Sequence, residues 1–227
     1  MYELLTILIL SFAILSFLWR RAAALVSKTE WGKTWLNFLD TLNKLFCKYY
    51  HHLDYTPIDL PAEGPALIVA NHVSGLDPML LIAASRRPIR FMIARSQYER
   101  FGRTWLFKGI GCIPVDRSTH PEKALRIALR ALQNGEVIAL FPQGTFTLPT
   151  ETRKIKRGGL WLAQQVQCPI YPVFISGITG MGSVVRGILK RSHAKLENYP
   201  PFDGNNENIK TSLQALVDGK LKSDKFE

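Results

Sequence analysis

The residues best equipped for chemistry lie in Asn71-His72-Val73-Ser74-Gly75-Leu76-Asp77-Pro78. With four residues between them, His72 and Asp77 can meet across a tight turn, which Gly75 eases. The carboxylate would accept a hydrogen bond from one imidazole nitrogen. The other nitrogen would be free to take a proton from a hydroxyl. That is a base with its orienter, and the nucleophile comes from a substrate. A structural role is the alternative. Asp77 followed by Pro78 also reads as a helix N-cap with proline at the first helical position.

Two later stretches add candidates. In Gly111-Cys112-Ile113-Pro114-Val115-Asp116-Arg117, the arginine stands just past a short strand. A guanidinium there is placed to hold a phosphate by a two-pronged contact, and the alternative is a surface arginine. Phe141-Pro142-Gln143-Gly144-Thr145-Phe146 follows another strand, and Gly144 lets backbone approach a ligand closely. The loop beyond carries Arg153, Lys154, Lys156 and Arg157. Walker-type and Rossmann glycine patterns are missing, as is a G-x-S-x-G nucleophile elbow. Cys47, Cys112 and Cys168 show no CxxC or Cys/His spacing, so no metal site is expected. They read as buried small hydrophobes in a reducing compartment.

The elements that must position these residues follow from periodicity. Residues 67–70 are a continuous apolar run, as in a strand covered on both faces. Further strands are predicted at 89–94, 136–141 and 169–175, with a short edge strand around Pro114. Helices are predicted after Pro78 and over 97–108, 122–133, 160–167 and 206–222, with Asn134-Gly135 stopping the third. Residues 177–187 are Gly-rich without period, and residues 188–204 resist assignment. Strands alternating with helices give an α/β fold, a mostly parallel mixed sheet flanked by helices. His72 and Gln143 then fall at carboxyl ends of strands, where open α/β sheets bind their ligands.

The 29 Lys and Arg against 18 Asp and Glu leave a charge of +11. That implies an anionic partner: nucleic acid, a membrane surface or a phosphorylated substrate. The N-terminus favours the membrane and not nucleic acid. Residues 4–19 are uncharged and apolar, closed by Arg20 and Arg21. The run falls short of the ~20 residues that span a bilayer. It lacks the basic start of a signal peptide. It reads as an anchor, either a short span or a segment dipping into one leaflet, with its basic end cytoplasmic. Residues 31–50 read as an amphipathic helix with Trp35, Phe38, Leu39, Leu42, Leu45, Phe46 and Tyr49 on one side. Asn37, Asp40, Asn43, Lys44 and Lys48 keep mainly to the other. It suits a membrane interface or an ordinary core-packing face. The expected division is 1–55, membrane-anchoring helices, and 56–227, the α/β domain. The expected location is the cytoplasmic face of the inner membrane.

Four stretches together resemble the lysophospholipid acyltransferase family, which includes 1-acyl-glycerol-3-phosphate acyltransferases. Asn71-His72 with Asp77 resembles its His-x4-Asp motif, and residues 111–117 its second motif. Phe141-Pro142-Gln143-Gly144-Thr145 resembles its third, and Cys168-Pro169-Ile170-Tyr171-Pro172-Val173 its fourth. The resemblance covers about residues 60–180. It implies His72 and Asp77 as catalytic residues, with Asn71, Arg117, Gln143, Gly144, Thr145, Lys156 and Arg157 binding substrate. It implies acyl transfer from acyl-CoA or acyl carrier protein to a lysophospholipid acceptor at a membrane, without metal or other cofactor. The two N-terminal helices resemble the membrane-binding pair of some bacterial members. Gln143 and Phe146 depart from the family's usual Glu and Arg. The departures keep open a less charged acceptor, such as a glycolipid, aminolipid or terpenoid. A non-catalytic lipid-binding protein is the alternative of another class.

Overall fold

The computed structural model describes residues 2–26, 28–116, 119, 121–148, 150–166, 168–203 and 208–221. The chain begins with α1 (Tyr2–Val26) and α2 (Thr34–Leu45), which runs into a π-helical turn (Phe46–Tyr50). β1 (Asp54–Tyr55), β2 (Ala66–Ala70), α3 (Asp77–Ala84) and β3 (Ile89–Ala94) follow. Next come α4 (Arg95–Tyr98), α5 (Thr104–Ile110), β4 (Ile113–Val115), α6 (Pro121–Gln133) and β5 (Val137–Leu140). The last third holds α7 (Arg157–Gln165), β6 (Pro169–Ser176), α8 (Val184–Leu189), β7 (Lys195–Asn198), β8 (Phe202–Asp203) and α9 (Ile209–Val217).

The described strands form one sheet in the order β1-β7-β6-β2-β5-β3-β4, with β8 pairing the start of β6. β2 pairs in parallel with both β5 and β6, and β3 with both β5 and β4. β7 and β8 run antiparallel to β6. The fold is α/β with a mostly parallel sheet flanked by helices. β2 is buried along its whole length, which is why it reads as an unbroken apolar run. Ile68 and Ala70 join the core shared with Leu80 and Leu81 of α3. Leu67 and Val69 face the opposite core, with Leu132 of α6, Leu162 of α7 and Leu213 of α9. Each fully buried Leu, Ile or Val contributes about 1.5–3 kcal/mol. The site's central strand is therefore fixed from two sides.

Four expectations change. The helix predicted over 97–108 is two short ones, because the chain turns at Gly102 with φ 78°. The helix predicted over 160–167 starts earlier, at Arg157. The unassigned stretch 188–204 supplies β7 and β8, whose pairing is antiparallel and long-range and so leaves little local signal. Much of the polar side of residues 31–50 is turned inward, with Lys48 left exposed. Asp40, Thr41 and Lys44 are buried, with Lys44 Nζ 2.7 Å from Asp40 Oδ2 and donating to Thr29 Oγ1 at 2.9 Å. Asn43 Nδ2 donates to the Met79 carbonyl at 2.9 Å, pinning α2 to α3. Asp40, Asn43 and Lys44 each find a partner through at least one polar atom, so the seam can be buried. Trp35, Phe38, Leu42 and Tyr49 are turned outward instead. In α1, Leu4, Leu5, Ile7, Leu8, Ile9, Leu10 and Phe12 are all exposed, so this part of the helix presents apolar side chains all round. Among the described residues, no helix is long and apolar enough to cross a membrane.

Candidate active site

The loop leaving β2 folds around one carboxylate. Asp77 is fully buried, and its Oδ2 accepts from His72 Nδ1 at 2.8 Å, Val73 N at 2.7 Å and Ser74 N at 2.9 Å. Its Oδ1 accepts from Ser74 Oγ at 2.8 Å, and that oxygen accepts in turn from Leu76 N at 3.1 Å. Four donors converge on one buried carboxylate, which compensates its loss of water. The N-cap reading of Asp77 is thereby corrected. Leu76 stands at the cap of α3, Asp77 inside it, and the carboxylate reaches back to the preceding turn. Because Asp77 is an acceptor, the Nδ1 of His72 carries the hydrogen and Nε2 keeps its lone pair. The imidazole retains 17% exposure, through which a hydroxyl can reach it.

The loop leaving β5 forms the second wall. The Phe141 ring stacks on His72 at 4.1 Å, and Phe146 meets it edge-on at 4.6 Å. The two loops are joined by His72 N donating to Gln143 Oε1 at 3.0 Å and Thr147 N donating to the His72 carbonyl at 2.8 Å. Gln143 is buried, and its carbonyl oxygen holds the histidine's backbone. Asn71 is likewise buried. Its side chain donates to the Ile175 carbonyl at 2.9 Å and accepts from Ile175 N at 2.7 Å, extending the ladder between β2 and β6. Both residues thus position the His72 loop, and both also line the cleft described below.

The remaining predicted residues are less tightly tied. Gly144 has φ 68°, and a β-carbon there would meet Lys156 Cδ and Cε at 3.0 Å and Nζ at 3.2 Å. The Lys156 side chain therefore lies over the Gly144 turn, while its backbone N–H donates to the Pro142 carbonyl at 2.8 Å. Thr145 is half-buried in that turn, and Arg157 opens α7 with its side chain exposed. Arg117 lies outside the described residues.

A third wall was not legible in the sequence. The loop before α8 clamps the His72 turn, with Gly182 N donating to the Val73 carbonyl at 2.7 Å and Gly75 N to the Ser183 carbonyl at 3.3 Å. The contact is so close that a β-carbon on Gly75 would stand 2.6 Å from Val184 Cα, and one on Gly187 2.9 Å from Ser74 Cβ. The glycines of 177–187 are the only sequence trace of it. Ser74 was also missed, although a serine three residues before an aspartate is a common local hydrogen-bonding pattern. A cleft of about 360 Å³ opens against the same loops, lined in part by Val73, Gln143, Thr147, Leu148 and Met181.

The family model described as Acyltransferase matches residues 53–176, which hold every wall of this site except α8 and the loop before it. The chain belongs to the acyltransferase family. A probable 1-acyl-sn-glycerol-3-phosphate acyltransferase of Mycoplasma genitalium is 32% identical over 144 residues, covering 60% of this chain and 53% of that protein. The 1-acyl-sn-glycerol-3-phosphate acyltransferase of Bacillus subtilis is 28% identical over 127 residues, covering 54% of this chain and 61% of that protein. The chain thus spans about half the length of the curated relatives it matches. The crystal structure of the 1-acyl-sn-glycerophosphate acyltransferase PlsC from Thermotoga maritima is similar in fold. Its TM-score is 0.59 at 20% identity, covering 82% of this chain and 78% of that one.

Proposed function

We propose that this acyltransferase-family chain moves a fatty acyl group from acyl-CoA or acyl carrier protein to a lipid hydroxyl, with 1-acyl-glycerol-3-phosphate as acceptor and phosphatidate as product. The observation that carries the reading is the 2.8 Å contact between His72 Nδ1 and Asp77 Oδ2 at the carboxyl edge of the sheet. His72 Nε2 takes the hydroxyl proton as the oxygen attacks the thioester carbonyl. Asp77 stabilises the imidazolium that forms. The tetrahedral intermediate then collapses, the C–S bond breaks, and the imidazolium returns its proton to the departing thiolate. No acyl-enzyme is needed. The named relatives support the acceptor assignment.

The same proposal places the protein on the cytoplasmic face of the inner membrane. The apolar side chains all round residues 4–12 of α1 and the outward aromatic face of α2 support this, with α1 lying in one leaflet and α2 at the interface. A second reading is favoured by one contact. Phe146 stands 4.6 Å from the base, where it offers an apolar edge and no charge. An acceptor without a phosphate near its hydroxyl would suit that wall.

The test is detergent-purified protein and its His72→Ala variant with long-chain acyl-CoA and lysophosphatidate, following thiol release and phosphatidate by mass spectrometry. Phosphatidate from the wild type alone supports the first reading. Thiol release only with an uncharged lipid supports the second. Equal turnover by the variant removes His72 as the base.

A further inference from the structure

The turn between α4 and α5 carries the most exposed aromatic side chain among the described residues. Phe101 at its tip is 101% exposed, and Trp105 beside it is 59% exposed. Gly102, with φ 78°, makes the bend that projects Phe101, and a β-carbon on Gly102 would meet nothing within 4 Å. Trp105 Nε1 donates to the Gly102 carbonyl at 2.9 Å, so the indole's polar atom is satisfied by the turn itself. What remains outward is ring surface. Single exposed apolar residues are ordinary, but contiguous ones mark a contact surface.

The surface around Trp105 continues onto α2. The Trp105 ring lies 5.3 Å from that of Trp35 on α2, and Trp35 packs so closely over Gly109 that a β-carbon there would stand 2.3 Å from it. Phe38 and Leu42 continue the exposed row along α2. The charge is one-sided. Glu99, the acidic residue of the turn, is paired with Arg95 at 3.0 Å, and Arg103 leans towards Gln97. Arg100 and Lys108 are exposed beside the rings. Aromatic rings flanked by cations match the boundary between lipid tails and anionic headgroups. The turn follows β3 in the chain, after the carboxyl end of that strand.

We propose that the turn between α4 and α5, led by Phe101 and Trp105 with Arg100 and Lys108 beside them, inserts into the surface of an anionic phospholipid bilayer. The inference rests on the membrane reading above. It extends the contact from the N-terminal helices to the α/β domain.

The experiment uses the full chain carrying Phe101→Cys, labelled with an environment-sensitive fluorophore. Cys47, Cys112 and Cys168 are buried and stay unlabelled in the folded protein. Vesicles of equal parts phosphatidylcholine and phosphatidylglycerol are added, and sedimentation is measured alongside. The expected result is co-sedimentation with a blue-shifted emission that spin-labelled lipid quenches. Phe101→Asp, on a fully exposed position, is expected to weaken vesicle partition about tenfold. Co-sedimentation with unchanged emission, or unchanged partition of Phe101→Asp, overturns the insertion and leaves the N-terminal anchor standing. Failure to co-sediment overturns both. Emission that shifts with protein concentration without vesicles assigns the face to a second copy of the chain, and also overturns the proposal.

Discussion

Replacing Asp77 by asparagine isolates what its charge does, because the shape is nearly kept. In the wild type three N–H groups point at Oδ2 and the Ser74 hydroxyl at Oδ1. An asparagine can keep a carbonyl oxygen before the three N–H donors. Its amide nitrogen then faces Ser74 Oγ, which already accepts from Leu76 N and must turn its hydrogen aside. Three charge-assisted bonds become neutral ones, each weaker by about 1 kcal/mol, so the fold should lose about 2–4 kcal/mol. The rate should suffer more. The imidazolium formed during proton transfer loses its buried counter-charge, which is worth about 3–5 kcal/mol, or 10²–10⁴ in kcat. Thiol release from acyl-CoA measures the rate, and a urea titration the stability. His72→Ala combined with Asp77→Asn should be no slower than His72→Ala alone, since the two residues act as one unit. A folded Asp77→Asn protein keeping more than about a third of wild-type kcat would refute the base-and-orienter argument.

Gly75→Ala puts a β-carbon 2.6 Å from Val184 Cα, a backbone atom that cannot swing away. The expected cost is about 1–3 kcal/mol in a denaturant midpoint, with a fall in kcat because the strain enters the His72 turn. Lys44→Met removes the cation that stands 2.7 Å from buried Asp40 in the wild type, and should lower the denaturant midpoint. Adding Asp40→Leu should recover most of that loss in the same titration, since a packed apolar pair is often as stable as a buried ion pair. Burial pushes the thiol of Cys47 up to about 12 and those of Cys112 and Cys168 up to about 11. A raised folded-state value means the folded protein holds its thiol protons longer. Stability should therefore be complete below the ordinary thiol value of 9.0 and fall as pH climbs through 11 to 12. Denaturant midpoints across that range, with thiol alkylation rates, check both sign and window.

The sequence by itself determined what local chemistry can determine. β2 is legible as a strand because burial on both faces removes every polar residue from 66–70. The edge position of β4 is legible from Pro114, which cannot donate to an inner ladder. The meeting of His72 and Asp77 is legible because four intervening residues, one of them a glycine, are enough to close that turn. The tertiary structure decided everything that needed distant segments. Asn71 and Gln143 look like substrate residues beside the histidine. Only the adjacency of β6 and β5 to β2 shows that their side chains also tie to Ile175 and to the His72 backbone. The stacking of Phe141 and Phe146 on His72 joins residues some seventy positions apart, and no periodicity reports it. The clamp on Gly75 comes from farther still, in a glycine-rich stretch without period. The direction of α2 was the last thing decided. Its pattern gives two faces, but which one is buried depends on whether Asp40, Asn43 and Lys44 find partners, and those partners stand on Thr29 and α3. A hydrophobic pattern names the sides of a helix, and the hydrogen-bond partners of its polar side choose which one turns inward.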